Sequence, residues 1–396
     1  MFKIEKKISK SLARAGVLQT AHGEIKTPAF VAVGTKATVK SLTPEQIKDA
    51  GSQIVLTNTY HLYLEPGEKQ IKRSGGLHKF MNWSGPMMTD SGGFQAFSLG
   101  VAYGSGINKF IGTLAPERDD LDEAYSENKE KKAQVTEDGV KFRSVIDGSL
   151  HFFTPEKSIQ IQNDLGADII FAFDECTSPH ASKEYLREAM ERTHRWAERC
   201  LEEFKNLTPN QQQLFGIVQG GRYEDLRKKS AKFITRLDFD GFGIGGSFVK
   251  EDMATAVKWV NEILPEEKSR HLLGVGEPID LILGVENGCD TFDCVAPTRM
   301  ARNGTLYTRK GKINILNAKF RNQMSPIETG CGCYTCQNYT VSYLAHLFRA
   351  KEMLAATLAT IHNLYFLNNL MSQIREAILN DKFSEFKEEF LKNYKS

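Results

Sequence analysis

Long hydrophobic runs are missing from this 396-residue chain. No apolar stretch approaches the roughly 20 residues that a membrane-spanning helix requires, and the N-terminal MFKIEKKISK lacks the apolar centre of a secretory signal. A cytoplasmic protein with no membrane partner is therefore expected. Cysteine is scarce. Of seven, Cys176, Cys200, Cys289 and Cys294 are scattered without framework spacing, which excludes a disulfide-stapled secreted scaffold. Neither sign of charge dominates, since 51 basic residues face 49 acidic ones. The total thus neither demands nor excludes nucleic acid, but a local absence says more. No acidic residue lies between Asp293 and Glu328, whereas Arg299, Arg302, Arg309, Lys310, Lys312, Lys319 and Arg321 do. Such a stretch is either a footprint for phosphate or a solvated basic loop.

Hydrophobic content of 41% and charged content of 25% are ordinary for a globular chain. The length suffices for one large α/β barrel or for two to three smaller domains. Eight short apolar runs end in polar or glycine-rich turns: PAFVAVGT from Pro28, QIVLTNT from Gln53, PMMTDSGG from Pro86, ADIIFAFD from Ala167, LFGIVQGG from Leu214, FDGFGIGG from Phe239, HLLGVGE from His271 and TFDCVAP from Thr291. Segments of helical character separate most of them. One is LTPEQIKDAG, with Thr43 as N-cap, Pro44 in the first turn and Gly51 past the end; another is SPHASKEYLREAMERTHRWAERCLEEF. Strand–helix alternation implies parallel strands, and eight of them imply a TIM-like (β/α)8 barrel. In such barrels chemistry sits at the carboxyl ends of the strands. Those ends carry Asn58, Asp90, Asp174, Gln219, Gly246, Gly274 and Asp293.

One insertion interrupts the alternation. Residues of about 101–135 turn highly charged in their second half and have few apolar side chains there. They cannot bury enough surface to order themselves, so a mobile excursion from the active-site face is expected, either a lid or a neutral surface insertion.

CGCYTC, residues 331–336, places three thiols within six residues. Cys331, Cys333 and Cys336 have the close spacing of a zinc cage, and a fourth ligand must come from elsewhere. His346 and His362 follow in a segment of helical periodicity. One straight helix would carry His362 on the order of 40 Å from Cys336, and His346 roughly 15 Å away. His362 therefore requires a break near Arg349–Lys351, and spacing alone leaves both histidines open. Four protein ligands would close the shell and make the metal structural.

TDSGGFQ (89–95), FDEC (173–176), GIVQGG (216–221), FDCVAPTR (292–299) and C-x-C-x2-C-x25-H (331–362), with NTYHL (58–62) and AHGEIKTPAF (21–30), together resemble the tRNA-guanine transglycosylases, the bacterial queuine tRNA-ribosyltransferases. The resemblance covers nearly the whole chain except the insertion after Leu99. It implies a (β/α)8 catalytic barrel over residues 1–300. Residues 301–396 would then hold the basic segment, a helical zinc-binding subdomain with one structural Zn2+, and C-terminal helices packed on the barrel. It selects His362 as the fourth ligand. The implied reaction is a pentosyl transfer: the wobble guanine of tRNAs with GUN anticodons is exchanged for a 7-deazaguanine base, without ATP, because one glycosidic bond replaces another.

By this resemblance Asp293 is the nucleophile that traps the ribose, and Asp90 is the general acid/base. Asn58, His61 and Gln95 would hold Asp90. Asp174 would accept the two adjacent donors of guanine's pairing edge, Gln219 and the Gly246 N–H would meet its carbonyl edge, and Phe94 and Leu273 would cover its faces. Ser91 sits beside the acid/base within reach of base or ribose, and Cys176 lines the far wall. Arg299 and Arg302 would contact the anticodon loop, and a homodimer contact is expected of the zinc subdomain.

The chain departs from the family at GGSFVKE, residues 245–251, where GGLAVGE or GGLSGGE is frequent. Val249 retains the branched residue of bacterial members, which should shut out the cyclopentenediol of queuine. 7-Aminomethyl-7-deazaguanine is thus the expected incoming base. His271 and Glu277 also differ from frequent family residues and bear on the RNA contacts. GFGIGG (241–246) matches a dinucleotide fingerprint, but its first two glycines fall inside a strand. Alternatives are the same fold acting with queuine or on another nucleic acid, and a non-catalytic RNA-binding partner subunit; retention of both Asp90 and Asp293 speaks against the last.

Overall fold

The computed structural model describes residues 1–98, 133–207, 211–246 and 250–395. Most of the expected excursion at 101–135, and Ser247, Phe248 and Val249 of the departing stretch, lie outside the described residues.

Each of the eight apolar runs carries one strand of a closed parallel barrel. In chain order these are Ala29–Val33, Val55–Thr57, Met87–Thr89, Ile169–Phe171, Gln213–Val218, Gly241–Ile244, Ser269–Leu272 and Thr291–Asp293. Strands buried on both faces read as continuous apolar runs rather than alternating ones, and the first of them, AFVAV, is buried at every position. The seventh strand begins two residues before the apolar run, at Ser269 and Arg270. Both are buried, with the Arg270 guanidinium donating to the Leu264 carbonyl at 2.7 Å.

The chain divides into two compact units. One comprises Met1, Thr57–Phe80 and Met87–His271. Its barrel strands pair in parallel, with Ile169 opposite Met88 and Gln213, and Phe215 opposite Gly241. The Trp196, Phe171, Phe173, Phe215 and Phe242 side chains fill its interior. His271, which bore on the RNA contacts in the sequence, is fully buried here with its ring 5.3 Å from Phe171, so it faces the interior and not RNA. An antiparallel sheet of Ala133–Val135, Val140–Arg143 and Leu150–Phe153 also belongs to this unit. Its first strand corrects the expected end of the mobile excursion: Ala133–Val135 pair with Val140–Phe142 because Ala133, Val140 and Phe142 are apolar enough to be buried. The helix expected from Ser178 starts later, spanning Lys183–Asn206, with the Ser182 hydroxyl accepting from the Tyr185 N–H.

The second unit comprises Phe2–Leu56, Met81–Pro86 and Leu272–Ser396. Its strand Thr291–Asp293 pairs with Ala29–Val31, and Val33 lies opposite Leu56. The helix Pro44–Asp49 forms as expected, with a capping box between Thr43 and Gln46 and Gly51 at φ +83° beyond its end. An N-terminal antiparallel sheet, Phe2–Lys7, Arg14–Thr20 and Gly23–Thr27, was not expected from the sequence; neither was the hairpin Thr305–Thr308/Gly311–Asn314. The apolar helix Met353–Leu379 organises this unit. Asn363 donates to the carbonyls of Pro297 and Thr305 at 3.0 Å, Asn368 to Ala50 at 2.8 Å, and Arg375 to Gly16 and Thr27 at 2.9 and 2.6 Å. No helix among the described residues is long and apolar enough to cross a membrane.

Candidate active site and metal centre

In the first unit, Asp90 follows the third barrel strand directly and is half-buried. Its Oδ1 accepts the Thr59 N–H at 2.9 Å and the Gly92 N–H at 3.1 Å, and its Oδ2 accepts from Asn58 Nδ2. Asn58 is the N-cap of the helix Thr59–Leu64, and its Oδ1 accepts the His61 N–H at 3.0 Å. The amides at a helix start have no intrahelical acceptor, and here one of them is taken up by a carboxylate. Of the three residues expected to hold Asp90, Asn58 touches it and His61 orients Asn58 through the main chain, while its ring stands edge-on to Tyr60. Gln95 lies half-buried on the helix Gly93–Ser98 together with Phe94. Thr59 and Gly92 were missed as holders of Asp90, although both stand inside the quoted motifs. Main-chain donors leave no side-chain signature; only a helix start beside a carboxylate could have pointed to them.

Asp174 lies three residues beyond the fourth strand and is 6% exposed. Ser91 Oγ donates to its Oδ1 at 3.0 Å, and Gln219 Nε2 donates to its Oδ2 at 2.6 Å. The structure thus unites Ser91, Asp174 and Gln219 in one buried hydrogen-bonded set, with Cys176 buried on the same segment as Asp174. Gly93 admits the Asp174 main chain: a Cβ there would stand 2.6 Å from the Asp174 carbonyl oxygen. Gly246 has φ +97°, and a Cβ would come within 2.9 Å of Gln219 Oε1. Behind Asp174, Glu175 is buried and accepts from Tyr185 Oη at 2.6 Å and from Arg192.

In the second unit, Asp293 ends the eighth strand, and its Oδ1 accepts the Gly274 N–H at 2.8 Å. The main chain at Gly276 passes so close to Cys294 that a Cβ would lie 2.4 Å from Cys294 Cβ. Burial pushes the Cys294 thiol up to about 12, so at neutral pH the residue after Asp293 is an uncharged thiol. Leu273 follows the seventh strand, half-buried. Arg299 and Arg302 lie half-buried on the helix Ala296–Arg302, while Arg309, Lys310, Lys319 and Arg321 are exposed. Lys312 of the basic stretch is paired with Glu277 at 2.7 Å.

Cys331, Cys333, Cys336 and His362 converge in this unit, with their four ligand atoms within 4.8 Å of one another. His346 is exposed and stands apart from the cluster. The helix Val341–Ala350 ends with Lys351 at φ 58°, and the next helix, from Met353, returns His362 to the thiols; this is the break the spacing required. His362 Nδ1 lies 3.4 Å from both Cys333 Sγ and Cys336 Sγ, and its Nε2 is 2.8 Å from the Tyr307 carbonyl. A carbonyl can only accept, so Nε2 carries a proton, which leaves Nδ1, on the side of the sulfurs, as the nitrogen that would bind a metal. Gly332, between two of the thiols, brings the main chain close to Tyr365: a Cβ there would stand 2.5 Å from Tyr365 Oη. The donor set, three sulfurs and one imidazole, fits one Zn2+ with a closed tetrahedral shell, which cross-links the segment and leaves no position for substrate.

The family model described as queuine tRNA-ribosyltransferase matches residues 9–396. A queuine tRNA-ribosyltransferase of Thermoanaerobacter pseudethanolicus is 52% identical over 396 residues, covering 99% of this chain and 97% of that protein. Proteins of the same name from Desulforamulus reducens and Staphylococcus aureus are 50% and 48% identical, covering 98% of this chain in each case and 97% and 95% of their own lengths.

Proposed function

The chain belongs to the queuine tRNA-ribosyltransferase family, and from that premise we propose that it is a tRNA-guanine transglycosylase that exchanges the wobble guanine of GUN anticodons for 7-aminomethyl-7-deazaguanine. Asp293 Oδ attacks C1′ of the ribose as the bond from C1′ to guanine breaks, and Asp90 gives its proton to the departing base. Asp90 then takes the proton from the incoming base, whose ring nitrogen attacks C1′ and frees Asp293. Proton and glycosidic bond are both conserved, which is why no energy source is needed.

The observation that carries this reading is the fixed carboxylate of Asp90, held at a strand end by Asn58, Thr59 and Gly92. An acid/base must be oriented before it can transfer a proton within the transition state. Asp174 supports the same reading. Its two oxygens already accept two donors, Ser91 and Gln219, so the ring N–H and exocyclic amine of guanine would meet a preformed acceptor. Phe94 and Leu273 would cover the faces of the base, with Cys176 at the far wall and Arg299 and Arg302 on the anticodon loop. We assign residues 1–300 to the catalytic barrel and 301–396 to the zinc-bearing part, and expect a cytoplasmic homodimer. An anticodon stem-loop incubated with labelled guanine tests the function: incorporation at the wobble position is expected, and none would overturn it.

A further inference from the structure

The helix Glu224–Ile234 turns two polar side chains inward, Arg227 and Ser230, and both are 0% exposed. Three residues apart, they share one face of the helix. Arg227 Nε donates to the Gly221 carbonyl at 2.7 Å, and its Nη1 donates to the carbonyls of Val218 at 3.2 Å and Gly245 at 2.7 Å. Ser230 Oγ accepts the Gln219 N–H at 3.1 Å and meets His194 Nε2 at 3.0 Å. A Cβ on Gly246 would lie 2.7 Å from Arg227 Nη2, so the guanidinium packs directly beneath that residue. Apart from the Ser230–His194 pair, these contacts fall on the main chain that carries Gln219 or leads into Gly246. Enclosing a guanidinium is costly, and a hydrocarbon would fill the same volume. What arginine adds is a rigid fork of donors, able to tie several carbonyls together in one geometry.

We propose that Arg227 and Ser230 are positioning residues for base recognition: they lock the ends of the fifth and sixth barrel strands together so that the Gln219 side chain and the Gly246 N–H meet the carbonyl edge of a purine. This rests on the reading of Gln219 and Gly246 as base-binding groups. Neither residue touches the base; both act through main-chain groups that do not themselves signal specificity.

The test measures two dissociation constants on each purified full-length variant, one for free guanine and one for an anticodon stem-loop lacking the wobble base. Arg227→Lys keeps a cation but cannot span three carbonyls, and Ser230→Ala removes the acceptor of the Gln219 N–H together with the hydroxyl that meets His194. Each is expected to weaken guanine binding by roughly tenfold, the scale of a lost hydrogen bond to a charged or buried group, while abasic stem-loop binding stays within about twofold. If Arg227→Lys does not fold, Ser230→Ala decides. Unchanged guanine affinity overturns the proposal, and so does a loss that falls equally on guanine and the abasic stem-loop. Gln219→Ala separates the two layers. If it leaves guanine binding intact, the base-pocket reading fails; if it weakens guanine binding and the two positioning variants do not, only the proposal fails.

Discussion

At the scale of single residues, the chemistry depends on where carboxylates and neutral groups are held. Asp293 is fixed by the Gly274 N–H beside an uncharged thiol. Asp293→Ala should abolish any complex with tRNA that survives denaturing electrophoresis, because no oxygen remains to bond C1′; a surviving complex would place the nucleophile elsewhere. His194 yields a prediction in pH. Its ring is stacked 4.2 Å from Phe233 and hydrogen-bonded to Ser230. Burial first, and then the Lys229 ammonium, pull its pKa from 6.5 down to about 4. The unfolded chain therefore takes up a proton that the folded chain refuses. Stability from this group is complete above about 6.5 and is lost as pH falls toward 4, by about 1.4 kcal/mol per pH unit. Urea midpoints of the protein should drop over that window, and His194→Gln should flatten the drop; equal slopes would show that His194 is not the group responsible.

At the scale of elements, the zinc centre shows how a turn decides a ligand. Lys351 in the left-handed conformation ends one helix and allows the next to bring His362 back, whereas His346 on the first helix stays exposed. Cys333→Ser should reduce bound zinc from near one per chain to near zero, measured by metal analysis, and lower the melting temperature, because the site closes the segment that holds Tyr307 and the helix Met353–Leu379. His346→Ala should retain the metal. Unchanged zinc in Cys333→Ser would show that the cage is misread. The same logic of elements applies to Asp90, whose donors come from the start of a short helix and from a glycine with φ +77°.

At the scale of the whole molecule, the question is which base enters. The stretch that would line the pocket at the seven-position includes Val249, which lies outside the described residues. A branched side chain there should favour a small seven-substituent. Exchange into a stem-loop should therefore proceed with 7-aminomethyl-7-deazaguanine and be at least tenfold slower with queuine, an energy difference of about 1.4 kcal/mol. Comparable rates with both bases would overturn that preference.

Eight barrel strands, the capped helix at Pro44, the helix break near Lys351 and the three thiols were all legible in the sequence, because each has a local signature: an apolar run bounded by turn residues, a capping pair, a close spacing. The strand-end carboxylates followed from topology alone, since parallel strands carry their chemistry at their carboxyl ends. The antiparallel sheets around the barrel were not legible. Their strands carry polar residues among the apolar ones, with Val17 opposite Lys26 and Phe142 opposite His151, so they lack the continuous apolar run that marks a barrel strand. Nor were the holders of the site: Thr59 and Gly92 act through main-chain N–H groups, and Arg227 reaches carbonyls of two different strands. By itself the sequence offered the candidate strand-end carboxylates and the three thiols of the metal site, because composition and spacing dictate functional groups, while spacing left His346 and His362 both open. Only the tertiary structure decided how those groups are aimed, because hydrogen-bond direction is a property of backbone brought together from afar.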